Sequence, residues 1–128
     1  MSLRGLTRFR KRIEGAIKRW PAAQMITAEA ERRYTILRMK QNRVQGPPLA
    51  RSTIRRKKSS IKLIDTGRLL RSIRVVYVNK NVVMLASNVT YAGVHQYGYK
   101  NIPQRKYLFV TRSELKELGK IFIKVLMK

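Results

Sequence analysis
His95 is the one imidazole in the chain, and it lies in Tyr91-Ala92-Gly93-Val94-His95-Gln96-Tyr97-Gly98. An imidazole among tyrosines in a strongly basic chain could serve a small RNA-cleaving toxin, with Arg and Lys holding the RNA while His, Tyr or Arg moves a proton. The spacing names no acid–base pair, and a lone histidine is more often a hydrogen-bonding structural residue than a catalyst. Other chemistries lack their parts. Six Asp and Glu are spread over 128 residues, which leaves little for paired-carboxylate catalysis. There is no cysteine, hence no thiolate metal site and no disulfide scaffold, and one histidine is too few for an ordinary zinc site. No GxxxxGK[ST] or GxGxxG loop occurs, and no nucleophile motif surrounds any serine. The sequence therefore predicts no catalytic residue, no cofactor and no metal.

Charge is the louder signal. Thirty Lys and Arg face six acids, a formal net charge of +24, yet 44% of residues are apolar and the mean hydropathy is only -0.35. That apolar share supports a packed core, so one folded domain over residues 1–128 is expected, with a very positive surface. Such a surface attracts nucleic acid, an anionic membrane or acidic protein. No stretch approaches the roughly 20 apolar residues that span a bilayer. The basic first twenty residues look superficially like a transit peptide, but the chain continues as helix with no cleavage-like break. A cytoplasm-like compartment is expected. The six tyrosines suggest base stacking, but no RRM-type motif accompanies them.

These residues must be carried by regular elements. Residues 5–20 read as an amphipathic helix: Leu6, Phe9, Ile13, Ala16, Ile17 and Trp20 fall within an arc of about 100°. Arg4, Arg8, Lys11, Arg12, Lys18 and Arg19 lie opposite. Pro21 is expected to break or re-aim the helix and to open a second one, with a mixed-charge face of Glu29, Glu31, Arg32 and Arg33, ending near Gln41. Gly46-Pro47-Pro48 stops it, and residues 43–62 are expected to be a basic mobile loop holding Arg55, Arg56, Lys57 and Lys58. This block is either solvated or a contact for phosphate or a partner. Asp65 or Thr66 is expected to cap a short helix ending near Ile73.

Runs at 74–78 and 82–87, joined by Asn79-Lys80-Asn81, predict a hairpin. Its strands are apolar on both faces, which suits cover by a second subunit or by the C-terminal helix. A short helix or turn follows, then a third strand at Tyr107–Val110. Thr111-Arg112-Ser113-Glu114 fits a capping box. The last helix is expected to bury Leu115, Leu118, Ile121, Phe122, Val125 and Leu126, a pattern shared by membrane-surface peptides but better explained by a core. The fold class is α+β: a small antiparallel sheet on a central hairpin, packed by helices from the N-terminal part (1–42) and by a C-terminal helix. Residues 63–128 form its α+β core.

The pieces Pro48-Leu49 to Thr53, Leu63-Ile64-Asp65-Thr66-Gly67-Arg68-Leu69, Ser72-Ile73, Tyr91-Ala92-x-x-His95-Gln96-x-Gly98 and Pro103-Gln104-Arg105-Lys106-Tyr107-Leu108 occur in that order. Order and spacing resemble the phage virion morphogenesis, or tail-completion, family of Mu-like phages and related head–tail neck proteins, over about residues 46–128. Two departures stand out: Gly46-Pro47 where that family often has tryptophan, and Gln104 within its usual Pro-Arg-Pro-type lead. The resemblance implies structural work in the virion, in a ring that is commonly sixfold, between portal or adaptor proteins and the tail tube. Assembly would take place in the host cytoplasm, without membrane. Asp65 and Thr66 would then cap, Gly67 permit a tight turn, and Leu69 and Ile73 pack inward. Tyr91, His95, Gln96 and Gly98 would fix the loop after the hairpin or lie at a subunit contact. Arg55–Lys58 and the basic face with Arg8, Arg12 and Arg19 would meet acidic protein or packaged DNA. Six copies would carry about +144, which needs anionic company. A basic nucleic-acid-binding protein of another fold, or the ribonuclease centred on His95, are the competing readings.

Overall fold
The structure is a computed structural model and describes residues 2–64 and 67–128. Its order is α1 (Leu3–Lys40), α2 (Arg51–Lys57), α3 (Arg68–Ser72), β1 (Arg74–Asn79), β2 (Val82–Ala86), α4 (Ala92–Tyr97) and α5 (Arg112–Leu126). The class is α+β, with a two-stranded antiparallel sheet among the described residues.

α1 is one helix of 38 residues, not two. At 1.5 Å per residue it is about 57 Å long. Ser2 caps it by accepting from the Gly5 N–H at 3.1 Å. Pro21 lies inside it and leaves the Ile17 carbonyl without its ladder donor. Packing carries the helix across this gap. Trp20 meets Phe122 of α5 edge-on at 5.0 Å, Arg19 Nε donates to the Leu126 carbonyl at 2.9 Å, and Ala23 on the far side is fully buried. The stop is Asn42, not Gly46. Asn42 takes φ 56°, its N–H reaches the Met39 carbonyl, and the Arg43 N–H reaches that of Arg38, which is the Schellman arrangement. Gly46 has a different task, at φ 107°: a Cβ there would collide with the Gln104 carbonyl, because residues 45–46 run against 104–106.

The segment expected as a loop contains α2, so Arg55–Lys57 are helical and Lys58 ends the helix in the left-handed region. Asp65 and Thr66, expected as caps, lie outside the described residues. The residue preceding α3 is Gly67 at φ 81°, a turn that favours glycine.

The hairpin pairs Arg74 with Ala86, Val75 with Leu85, Val76 with Met84 and Tyr77 with Val83, then slips by a bulge before Asn79. Asn79 Oδ1 accepts from the Asn81 N–H at 2.8 Å and shapes the turn. Side chains alternate, so Val75, Val83 and Leu85 share the half-covered face. Both strands pack on α1, and α5 also packs on α1. The expected third strand at Tyr107–Val110 is absent: the segment has no regular structure and bends at Leu108.

The core gathers Met39, Val44, Leu69, Ile73, Val89, Ala92 and Tyr107 at the C-terminal end of α1. α5 opens with the capping box: Glu114 N–H to Thr111 Oγ1 at 3.2 Å, and Thr111 N–H to Glu114 Oε2 at 3.2 Å. It buries Leu118, but Leu115 is 64% exposed, contrary to expectation, because α1 covers a narrower strip of α5 than the apolar pattern offers.

Candidate functional site
The motif pieces, scattered over sixty residues, converge. An open groove of about 800 Å³ lies between α2, the entry to α3, and the stretch from α4 to Arg105. Pro48, Leu49 and Thr53 form one wall, Leu63, Gly67 and Leu69 a second, and Tyr91, His95, Pro103 and Arg105 a third. Arg56, though exposed, and the partly covered Lys57 of the basic block line it, whereas the exposed Arg55 and Lys58 do not. The block is thus divided between groove and solvent.

Behind the groove, three motif residues hold the framework. Ser72 Oγ lies 2.6 Å from both the Leu69 carbonyl and Ser87 Oγ, tying α3 to the end of β2. Ile73 is buried in the core. Gln96 does what a neighbouring strand would do. Its Oε1 accepts from the N–H groups of Tyr107 (3.2 Å) and Leu108 (3.1 Å), and its Nε2 donates to the Leu108 carbonyl at 2.8 Å. One amide side chain thereby satisfies the backbone that a third strand was expected to pair. Gly98 ends α4, donating to the Val94 carbonyl.

His95 sits edge-on to Tyr91 with ring centres 5.8 Å apart, and its carbonyl accepts from the Arg105 N–H at 2.8 Å. Burial, then the cations of Arg105 and Lys57, push its pKa below the ordinary imidazole value. It is therefore a neutral imidazole near neutral pH, poorly placed to supply a proton. No Asp or Glu lines the groove among the described residues, and the described groups around His95 there are Tyr91 and the cations Arg56, Lys57 and Arg105. Nor do three His, Asp or Glu cluster as a metal site among the described residues.

Two arginines matter that sequence reasoning passed over. Arg105, nearly buried, donates from Nε to the Pro47 carbonyl at 3.0 Å and from a terminal nitrogen to that of Pro48 at 3.2 Å, stapling the groove wall. Arg38 is 5% exposed. One terminal nitrogen contacts both oxygens of Glu114, at 2.7 and 2.6 Å, and the other donates to the Tyr107 carbonyl at 2.9 Å. Its guanidinium also lies 3.9 Å from the Phe109 ring centre. The Arg-x-Tyr spacing at 105–107 puts both side chains on one side of an extended chain, a signal that was available. Arg38 carried none, being one cation among thirty.

Glu31, expected on a mixed-charge face, is half-buried. Burial and the negative Glu114 raise its pKa to about 7, against the pull of Arg38. It belongs to a row at Gln24, Thr27, Glu31 and Thr35, each with a buried side-chain oxygen, and the Thr35 hydroxyl lies close enough to Glu31 to pull its pKa down slightly.

Two apolar surfaces remain open. On the hairpin, Val82 and Met84 share the outer face, with Val78 beside them, all 42–49% exposed. On the first half of α1, Leu6, Phe9, Ile13 and Ile17 are 44–63% exposed. On the opposite side of that half are Arg8 and Arg12, both exposed, and the partly covered Arg19.

A family model described as the phage virion morphogenesis family matches residues 28–127, more than three-quarters of the chain. No curated protein and no solved structure matches it.

Proposed function
Because the chain belongs to the phage virion morphogenesis family, and so has a structural part in building the virion, we propose that it forms a ring at the neck or tail terminus that completes the tail and joins it to the head. The ring, hexameric in this proposal, stacks between portal or adaptor proteins and the tail tube, and is assembled in the host cytoplasm. No described helix is long and apolar enough to cross a membrane.

The observation that carries the ring is the pair of uncovered apolar surfaces. The α1 stripe alone leaves roughly 400–500 Å² of apolar side chain in water, within the range of about 300–600 Å² for the largest patch on a lone subunit, which is often a contact surface. The hairpin face adds a second, differently shaped patch. Two unlike patches on one chain favour head-to-tail contact, and head-to-tail contacts that close make rings. In this arrangement the α1 stripe of one copy lies on the hairpin face of the next. The motif groove, with Arg56 and Lys57 at its edge, faces an acidic neighbouring ring.

Mixing two variants tests the arrangement. Ile13→Glu/Ile17→Glu damages the stripe, and Val82→Glu/Met84→Glu damages the hairpin face. Each is expected to be monomeric alone by light scattering. Mixed, they retain one intact contact and form a one-to-one dimer and nothing larger. No dimer in the mixture discards the stripe-to-hairpin contact. A wild-type chain that stays monomeric at every concentration, and is missing from purified particles, discards the ring.

A further inference from the structure
The half of α1 that carries the apolar stripe carries the opposite chemistry on its other side. Arg8, Lys11, Arg12 and Arg19 recur at spacings of three, four and seven, which keeps them on one side of a helix. Where this row meets the end of α5, with Met127 and Lys128, it lines a cleft of about 270 Å³. No Asp or Glu side chain lines the cleft among the described residues. Glu14, the acid of this half-helix, is turned to Arg10 at 3.1 Å. Arg8, Lys11, Arg12 and Lys128 make no described hydrogen bond or ion pair. Arg19 is already held: its Nε donates to the Leu126 carbonyl, and its guanidinium lies over Gly15, where an added Cβ would sit 3.0 Å away. Elsewhere acids answer cations, with Glu29, Glu114 and Glu117 each within 3.2 Å of an arginine or lysine.

We infer that this cleft binds the phosphate backbone of double-stranded DNA. Five like charges gathered in one cleft repel each other until an anion joins them. The row from residue 8 to residue 19 is about 16 Å long, which equals roughly five base-pair steps measured along a duplex axis at 3.4 Å per step. Arginine suits either kind of partner, but Lys11 and Lys128 are of the type that protein–protein contacts exclude from their centres and that contacts to the DNA backbone use. The two sides of the half-helix are thereby divided: the apolar stripe for a protein neighbour, the cationic row for nucleic acid. Nothing in the cleft reads base edges, so binding is independent of sequence. The inference is decided by duplex binding in solution, the virion reading by incorporation into particles, so either can fail alone.

The test uses the full chain and a fluorescent 20-base-pair duplex of arbitrary sequence, titrated at several salt concentrations. Arg8→Gln/Lys11→Gln/Arg12→Gln is compared with Arg74→Gln/Lys80→Gln/Lys116→Gln, which removes equal charge elsewhere. The cleft variant is expected to lower the slope of log affinity against log salt by between about two and three, since each neutralised phosphate contributes about 0.9. Affinity at 0.1 M salt should fall roughly a hundredfold. The control should change the slope by less than about one. Should the triple variant unfold, the single variants Arg8→Gln, Lys11→Gln and Arg12→Gln decide the matter, each expected to lower the slope by about one. Equal losses in the two triple variants overturn the site. A wild-type slope near zero, or displacement of the duplex by poly-glutamate at equal charge concentration, overturns DNA as the occupant in favour of an acidic protein.

Discussion

Single side chains here do work usually given to whole elements. Gln96 serves three backbone groups of Tyr107 and Leu108. Gln96→Ala strands them in a partly buried place, so a loss of about 2–3 kcal/mol is expected in urea unfolding. His95→Ala, by contrast, should leave any trace of RNA cleavage in purified material unchanged, since its neutral imidazole has no described carboxylate beside it in the groove; disappearance of cleavage with the histidine would revive the enzymatic reading. Glu31 gives a pH signature. Its pKa in the folded chain is about 7 against an ordinary 4.5. The unfolded chain thus releases this proton first, and stability falls as pH rises from 4.5 through 7. The carboxyl is only half-buried, so solvent screening reduces the effect to about 1 kcal/mol. Glu31→Gln should be more stable than wild type at pH 8 and nearly equal at pH 4.5, read as melting temperature. The place of Gln96 beside His95 in the motif made a loop-fixing role legible. Arg38 and Glu31 were not legible, because burial of a charged helical residue is decided by where another helix lands.

At the level of elements, the sequence revealed what local chemistry decides. The capping box at Thr111, the Asn turn of the hairpin and the short helix ending at Ile73 all follow from neighbours in the chain. It misled where distant packing overrode the local rule. Pro21 should interrupt a helix, but α5 holds both sides of it. Tyr107–Val110 should be a strand, but Gln96 and Arg38 occupy the backbone groups of Tyr107 and Leu108. The proline gives a direct check. In a continuous helix, Pro21→Ala restores the bond to the Ile17 carbonyl and should stabilise the chain by about 1–3 kcal/mol, with a gain in helical circular dichroism. A proline at the first position of a separate helix would give almost no gain.

As a whole, the molecule sets +24 against a modest core. Self-repulsion at that charge predicts a melting temperature that rises between 0.02 and 0.2 M salt, as the screening length shortens to about 8–10 Å. A flat or falling curve would mean that the cations are already neutralised within the fold. The core lies at one end of α1 and the cationic row at the other, and α5 lies along α1 between them, from Arg38 back to Arg19. The missing tie at Ile17 is thereby splinted where Trp20 meets Phe122. A load on the cationic tip passes into two helices at once, so tip and groove turn together as one lever.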